Sequence, residues 1–206
     1  MPRTLPGGAW RPGEETRVAA MSTSNPADAR AAAAAPAPIL ALCLDVDGTL
    51  TDGRLYVHDD GTQSRAYHTQ DGFAIRWFQR LGGTVLICTG KAGGSVRARA
   101  AELGIDLVIE NSADKRADVA AALAARGIPL DRLAVIGDDL PDLPLLRVCG
   151  LPIAVANAVP EVRAAAAYVT QRSGGGGAVR EAIEYILRAD GRWSDVLAQY
   201  ARRPPA

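Results

Sequence analysis

Two clusters of acids carry the chemistry this sequence could do. The first, Asp45-Val46-Asp47-Gly48-Thr49, ends an apolar run over 39–44. Carboxylates at the end of a buried strand are costly unless they meet a cation or another partner. Alternation along a strand puts Asp45 and Asp47 on one side, and a kink through Gly48 is the natural way to aim both into one site. The second cluster, Asp138-Asp139-Leu140-Pro141-Asp142, follows an apolar strand over 133–136. Acids packed this closely repel one another unless a cation intervenes. A helix dipole would favour one of them but hardly all. Oxygen donors at this density suit Mg2+, with Asp138 as the direct ligand, Asp142 in the outer shell or reaching through water, and Asp139 open to either role.

The elements that must position these acids alternate regularly. Apolar runs at 39–44, 84–88, 107–109 and 133–136 read as buried strands. Helical spacing predicts helices over 73–81, 95–103 and 116–125. Strand–helix alternation with short loops predicts an α/β fold, a doubly wound parallel sheet with right-handed crossovers. Ligands then sit beyond the carboxyl ends of the strands, where Asp45, Thr89 and Asp138 all fall. The polar stretch 51–67 reads instead as a small projecting hairpin, with 55–57 and 64–67 flanking the turn Asp59-Asp60-Gly61-Thr62. Two strands alone are marginal in water, so this hairpin should pack against another subunit. His58 and His68 lie in this region without metal-ligand spacing and read as exposed polar residues. Farther on come a helix over 160–167, a short strand over 168–170, the run Gly174-Gly175-Gly176-Gly177 and a closing helix over 178–188.

Composition bounds the class. Of 206 residues 48% are hydrophobic, enough for one substantial core, and 23 basic residues balance 23 acidic ones. No bulk attraction to nucleic acid or membrane follows from a zero net charge, and no apolar stretch is long enough to span a membrane. Residues 1–38, rich in Ala and Pro, read as a disordered leader, 39–189 as the folded domain and 190–206 as a C-terminal tail. Cys43, Cys88 and Cys149 stand in apolar settings without metal spacing. They read as reduced thiols of a cytoplasmic protein.

Asp45-Val46-Asp47-Gly48-Thr49-Leu50 resembles the first motif of the haloacid dehalogenase superfamily. The resemblance implies that Asp45 is a nucleophile forming an aspartyl-phosphate, and that Asp47 is the general acid/base whose main-chain carbonyl helps hold Mg2+. Both roles suit carboxyl groups. It makes Thr89 the second-motif hydroxyl binding phosphoryl oxygens, helped by Gly90. Lys115 becomes the third-motif lysine; a lysine in a first helical turn breaks the usual preference for acids, as functional residues often do. Gly137-Asp138-Asp139-Leu140-Pro141-Asp142 matches the fourth motif, adding Asp138 and Asp142 to Asp45 and Asp47 as the metal set.

The short hairpin, the missing cap domain and the glycine run resemble the capless phosphatases typified by 3-deoxy-D-manno-octulosonate 8-phosphate phosphatase, over roughly 39–189. That branch implies a homotetramer acting on a small phosphorylated sugar acid. It also implies substrate contacts from Gly48, Gly90, Lys91, Arg99 and Gly175. Lys91 and Gln70 stand where the octulosonate enzymes usually have Arg. Lysine keeps the charge there but loses the two-pronged guanidinium fork. The alternatives are a nonulosonate 9-phosphate or another small-metabolite phosphatase and, in another class, a non-catalytic tetrameric subunit.

Overall fold

The computed structural model of the protein describes residues 38–201. The expected leader, Pro38 apart, and the last five positions of the expected tail lie outside the described residues.

β1 (Ala41–Leu44) is buried at every position, as a strand covered on both faces must be. It lies between β4 (Thr84–Cys88) and β6 (Leu133–Gly137), with β5 (Leu107–Ile109) outside β4 and with β7 (Leu151–Ala154) and β8 (Tyr168–Val169) outside β6. Every pairing in this six-stranded sheet is parallel. Register positions the chemistry. Leu44 is paired with Ile87 on one side and Ile136 on the other, so Asp45, Cys88 and Gly137 come next at one level.

The connecting helices are α1 (Thr69–Arg80), α2 (Gly94–Leu103), α3 (Lys115–Ala124), α4 (Leu143–Leu146), α5 (Pro160–Ala165), α6 (Ala178–Ala189) and α7 (Trp193–Ala201). Three departures from expectation have physical causes. α1 begins four residues early because the His68 ring caps it, accepting the Gln70 N–H at 3.3 Å. Asp71 and Gly72 therefore sit inside the helix, with the buried Asp71 carboxylate accepting the Arg180 N–H at 2.7 Å. β7 is an added strand, short and interrupted by Pro152. Finally, the stretch read as a tail carries α7, whose Trp193 and Val196 are buried.

The hairpin is shorter than expected. β2 (Tyr56–Val57) and β3 (Gln63–Ser64) pair antiparallel, Tyr56 opposite Ser64. Arg65 leaves the ribbon and turns its side chain inward. His58 bonds Ser64 Oγ across the ribbon at 2.8 Å, so both histidines have ordinary structural partners. Among the described residues, no helix is long and apolar enough to cross a membrane.

The core runs through β1, β4, β6, α1 and α6. Phe78 on α1 is 1% exposed, and its ring occupies the space a Cβ on Gly83 would need, 2.2 Å away. Truncating that ring leaves a hole that close packing cannot refill. Phe78→Ala should lower stability by about 3–5 kcal/mol, read from urea denaturation; a loss under about 1 kcal/mol would contradict this placement.

Candidate active site

After Leu44 the chain makes one wide turn, Val46–Leu50, closed by the Thr51 N–H bonding the Val46 carbonyl at 3.0 Å. Gly48 takes φ +103° within it, a conformation L-residues rarely adopt, so the expected kink lies at the expected residue. A Cβ there would lie 2.1 Å from Asp138 Oδ2. The glycine thus lets the fourth-motif carboxylate lie against the backbone of the first motif. Thr49 Oγ donates to Asp138 Oδ1 at 3.0 Å and fixes the second contact between the two loops.

At the centre is the buried ammonium of Lys115. It donates to Asp45 Oδ1 at 2.5 Å and to Asp142 Oδ1 at 2.6 Å. α3 puts it there because Asp114 caps the helix, its side chain accepting the Ala117 N–H at 3.0 Å. Burial alone would lower the lysine, but the two carboxylates outweigh burial and hold it above the ordinary range. Lys115 is therefore charged. Asp142 is fully engaged, its Oδ2 accepting the amides of Asp138 and Asp139 at 3.0 and 3.3 Å. Asp139 faces solvent and spends its carboxylate on the Leu140 N–H at 2.8 Å.

One ammonium among three carboxylates leaves excess negative charge. Burial first, and Asp142 next, push Asp45 up to about 8 despite the lysine. Burial lifts Asp138 to about 6, opposed by the Thr49 hydroxyl. Asp45, Asp138 and Asp142 each offer an oxygen, and these atoms lie within 4.8 Å of one another. An all-oxygen, charge-rich donor set of this size fits a hard divalent cation such as Mg2+.

The structure also brings in two residues that sequence reasoning did not single out. Arg65 forks onto Asp47, Nε to Oδ1 at 2.7 Å and Nη2 to Oδ2 at 3.2 Å, and its Nη1 reaches Ser95 Oγ at 3.1 Å. Its side chain is wholly buried, so this pair is far better defined than a surface ion pair. Asn157 joins the first motif to the glycine run. Its Nδ2 donates to the Gly48 carbonyl at 3.0 Å and its Oδ1 accepts the Gly174 N–H at 2.7 Å. No spacing signal marks either residue; an arginine just after a turn and an asparagine after a short strand look ordinary.

The other expected residues divide. Thr89 is buried at the end of β4, with Gly90 exposed beside it and the Lys91 N–H bonding the Thr89 hydroxyl at 3.3 Å. Gly175 packs on the first motif of its own chain, its N–H bonding the Thr49 carbonyl at 3.3 Å. Arg99 is not among the acids' partners. It bonds Glu102 at 2.8 Å and the His68 carbonyl at 3.2 Å and lies over the Tyr67 ring.

Residues 105–183 match the haloacid dehalogenase-like hydrolase family. With a parallel sheet ending in these acids and this lysine, the chain is a haloacid dehalogenase-like hydrolase. The 3-deoxy-D-manno-octulosonate 8-phosphate phosphatase of Escherichia coli is 37% identical over 161 residues, 78% of this chain and 86% of that protein. A crystal structure of the Moraxella catarrhalis phosphatase of that name, in complex with magnesium, phosphate and KDO, superposes with a TM-score of 0.78 at 36% identity. It covers 86% of this chain and 99% of that one. The cobalt-bound Haemophilus influenzae phosphatase superposes with a TM-score of 0.72 at 35% identity, covering 74% of this chain and 90% of that one. The chain belongs to this phosphatase family and is a phosphoric monoester hydrolase with a divalent-metal site.

Gly48→Ala should leave the fold cooperative but displace the Asp138 carboxylate, lowering Mg2+-dependent phosphatase turnover at least about 100-fold. Near-wild-type turnover in that variant would refute the close approach of the two loops.

Proposed function

We propose that this chain hydrolyses 3-deoxy-D-manno-octulosonate 8-phosphate through an aspartyl-phosphate on Asp45. The observation that carries the reading is the Lys115 ammonium held between Asp45 and Asp142. It orients one carboxylate oxygen of the nucleophile and adds positive charge where a phosphoryl group would arrive. The 37% identity to the octulosonate phosphatase supports the choice of substrate.

Asp45, the main-chain carbonyl of Asp47 and Asp138 would hold Mg2+. Asp142, with both oxygens engaged, steadies Lys115 and the Asp138 loop and would serve the ion only from the outer shell. Bound Mg2+ supplies Lewis-acid stabilisation of charge on the phosphoryl oxygens. The Thr89 hydroxyl and the Gly90 amide receive those oxygens from the other side. Asp45 attacks phosphorus in line, the ester P–O bond breaks, and the departing alkoxide takes a proton from Asp47. Asp47 then accepts a proton from water as the water oxygen attacks the same phosphorus. The acyl-phosphate bond opens, returning the Asp45 carboxylate and releasing inorganic phosphate. Both Asp47 oxygens are occupied by Arg65, so this pair must loosen each time Asp47 carries a proton. Of the two cations expected at the substrate, Lys91 is exposed beside Thr89 and would meet the sugar carboxylate, since Arg99 is committed to Glu102 and His68.

The ribbon of β2 and β3 exposes Tyr56 by 55% and Val57 by 67%. We propose that it packs against copies of this chain in a homotetramer. Unpaired Cys43, Cys88 and Cys149 support a cytoplasmic setting.

Phosphate release should be measured on a panel of sugar-acid phosphates with Mg2+ or EDTA. Turnover should be highest on the octulosonate 8-phosphate, vanish in EDTA, and fall at least about 1,000-fold in Asp45→Asn. A preference for a nonulosonate 9-phosphate or an aryl phosphate would sink the substrate assignment alone. No release from any of them would sink catalysis and favour a binding subunit.

Sedimentation velocity should give the mass of four chains, and a monomer would rule out the proposed assembly.

A further inference from the structure

A second cleft, of about 310 Å3, opens between α1, α2 and α7. Its lining shares no residue with the acid cluster. One stripe of α1 forms its floor, Phe73, Arg76, Trp77 and Arg80, at the i, i+3, i+4, i+7 spacing that puts residues on one helix face. Arg80, at the last turn of α1, forms the end of the cleft farthest along the helix from its start at Thr69.

The lining combines two kinds of group. Phe73, Trp77 and Tyr200 form a ring cluster, with Tyr200 centred 5.8 Å from Phe73 and 6.0 Å from Trp77. The Trp77 Nε1–H donates to the Tyr200 hydroxyl at 3.1 Å, which holds the half-exposed tyrosine in place at the rim. Around the rings stand Arg76, Arg80 and Arg99 against one acid, Glu102. Glu102 is occupied: its carboxylate takes Arg99 at 2.8 Å and its carbonyl takes Arg76 at 2.5 Å. Arg80 stacks 5.1 Å from the Trp77 ring centre and has no hydrogen bond or carboxylate partner among the described residues. The cleft is thus cationic, ring-lined and open, with guanidinium donors to spare.

We propose that this cleft is a binding site for a mononucleotide, whose base would lie against the half-exposed Tyr200 ring and whose phosphate would meet Arg76 and Arg80. Guanidinium forks match phosphate oxygens, and aromatic faces stack on planar bases. The volume sits at the lower end of the roughly 300–1,000 Å3 usual for small-ligand sites, which suits one nucleotide and not a dinucleotide. An anion without a ring would use only half of the lining. A neutral base would leave the arginines unmatched.

The test titrates the full chain in EDTA with adenosine 5′-monophosphate, following tryptophan fluorescence and calorimetric heat. Ribose 5-phosphate, inorganic phosphate and adenosine serve as the partial probes. Saturable binding of the nucleotide is expected, at least tenfold tighter than any partial probe. Arg80→Ala and Tyr200→Ala should each weaken it at least tenfold while leaving Mg2+-dependent phosphate release unchanged. Asp45→Asn should bind the nucleotide as wild type does, which separates this cleft from the catalytic site. The proposal is overturned by no saturable binding below about 1 mM, by equal binding of inorganic phosphate, or by binding that both cleft variants leave intact.

Discussion

Everything in the active site is arranged around one buried ammonium. Lys115 lies between two carboxylates that follow different strands, and neither the lysine nor the acids would be stable there alone. Removing any partner leaves a charge stranded away from water, which costs more than an intact pair contributes. The lysine therefore joins three parts of the chain: the end of β1, the start of α3 and the turn after β6. It does not balance the charge, because three acids share one cation. That residual negative charge, added to the burial that does most to raise the Asp45 and Asp138 carboxyls, is what makes a divalent ion fit.

Much of this was legible in the sequence because burial and charge conflict so plainly there. Strands over 84–88 and 107–109 read to the residue, since an apolar run in a sheet covered on both faces needs no alternation to be recognised. Asp45, Asp138 and Lys115 were legible because each breaks a local rule at the end of an element. β7 was not, because Leu151-Pro152-Ile153-Ala154 is too short and too interrupted to outweigh a turn. The start of α1, four residues before the apolar spacing begins at Phe73, was hidden because a histidine ring caps it. α7 was taken as tail because nothing in its spacing announces that Trp193 and Val196 have a core to fill.

Arg65 and Asn157 were invisible for a different reason. Their partners lie 18 and 109 residues away, and each is defined only by what it touches. The glycine run was visible but open in meaning. In the structure its backbone packs on the first motif: a Cβ on Gly174 would lie 1.8 Å from the Gly48 carbonyl oxygen. These glycines let two backbones approach more closely than side chains permit. The glycine run is thus part of what holds the nucleophile's turn in shape.

The central place of β1 has a consequence for how the enzyme comes into being. Its two neighbours are not its neighbours in sequence; one ends at Cys88 and the other at Gly137. On the ribosome, this central strand is made before both of its neighbours and must wait unpaired on one edge until some ninety residues more have emerged. Such long-range pairing folds slowly and leaves a sticky edge exposed meanwhile. The nascent chain should depend on chaperones until β6 arrives, and no shorter nascent intermediate can possess the nucleophile and the fourth-motif acid together.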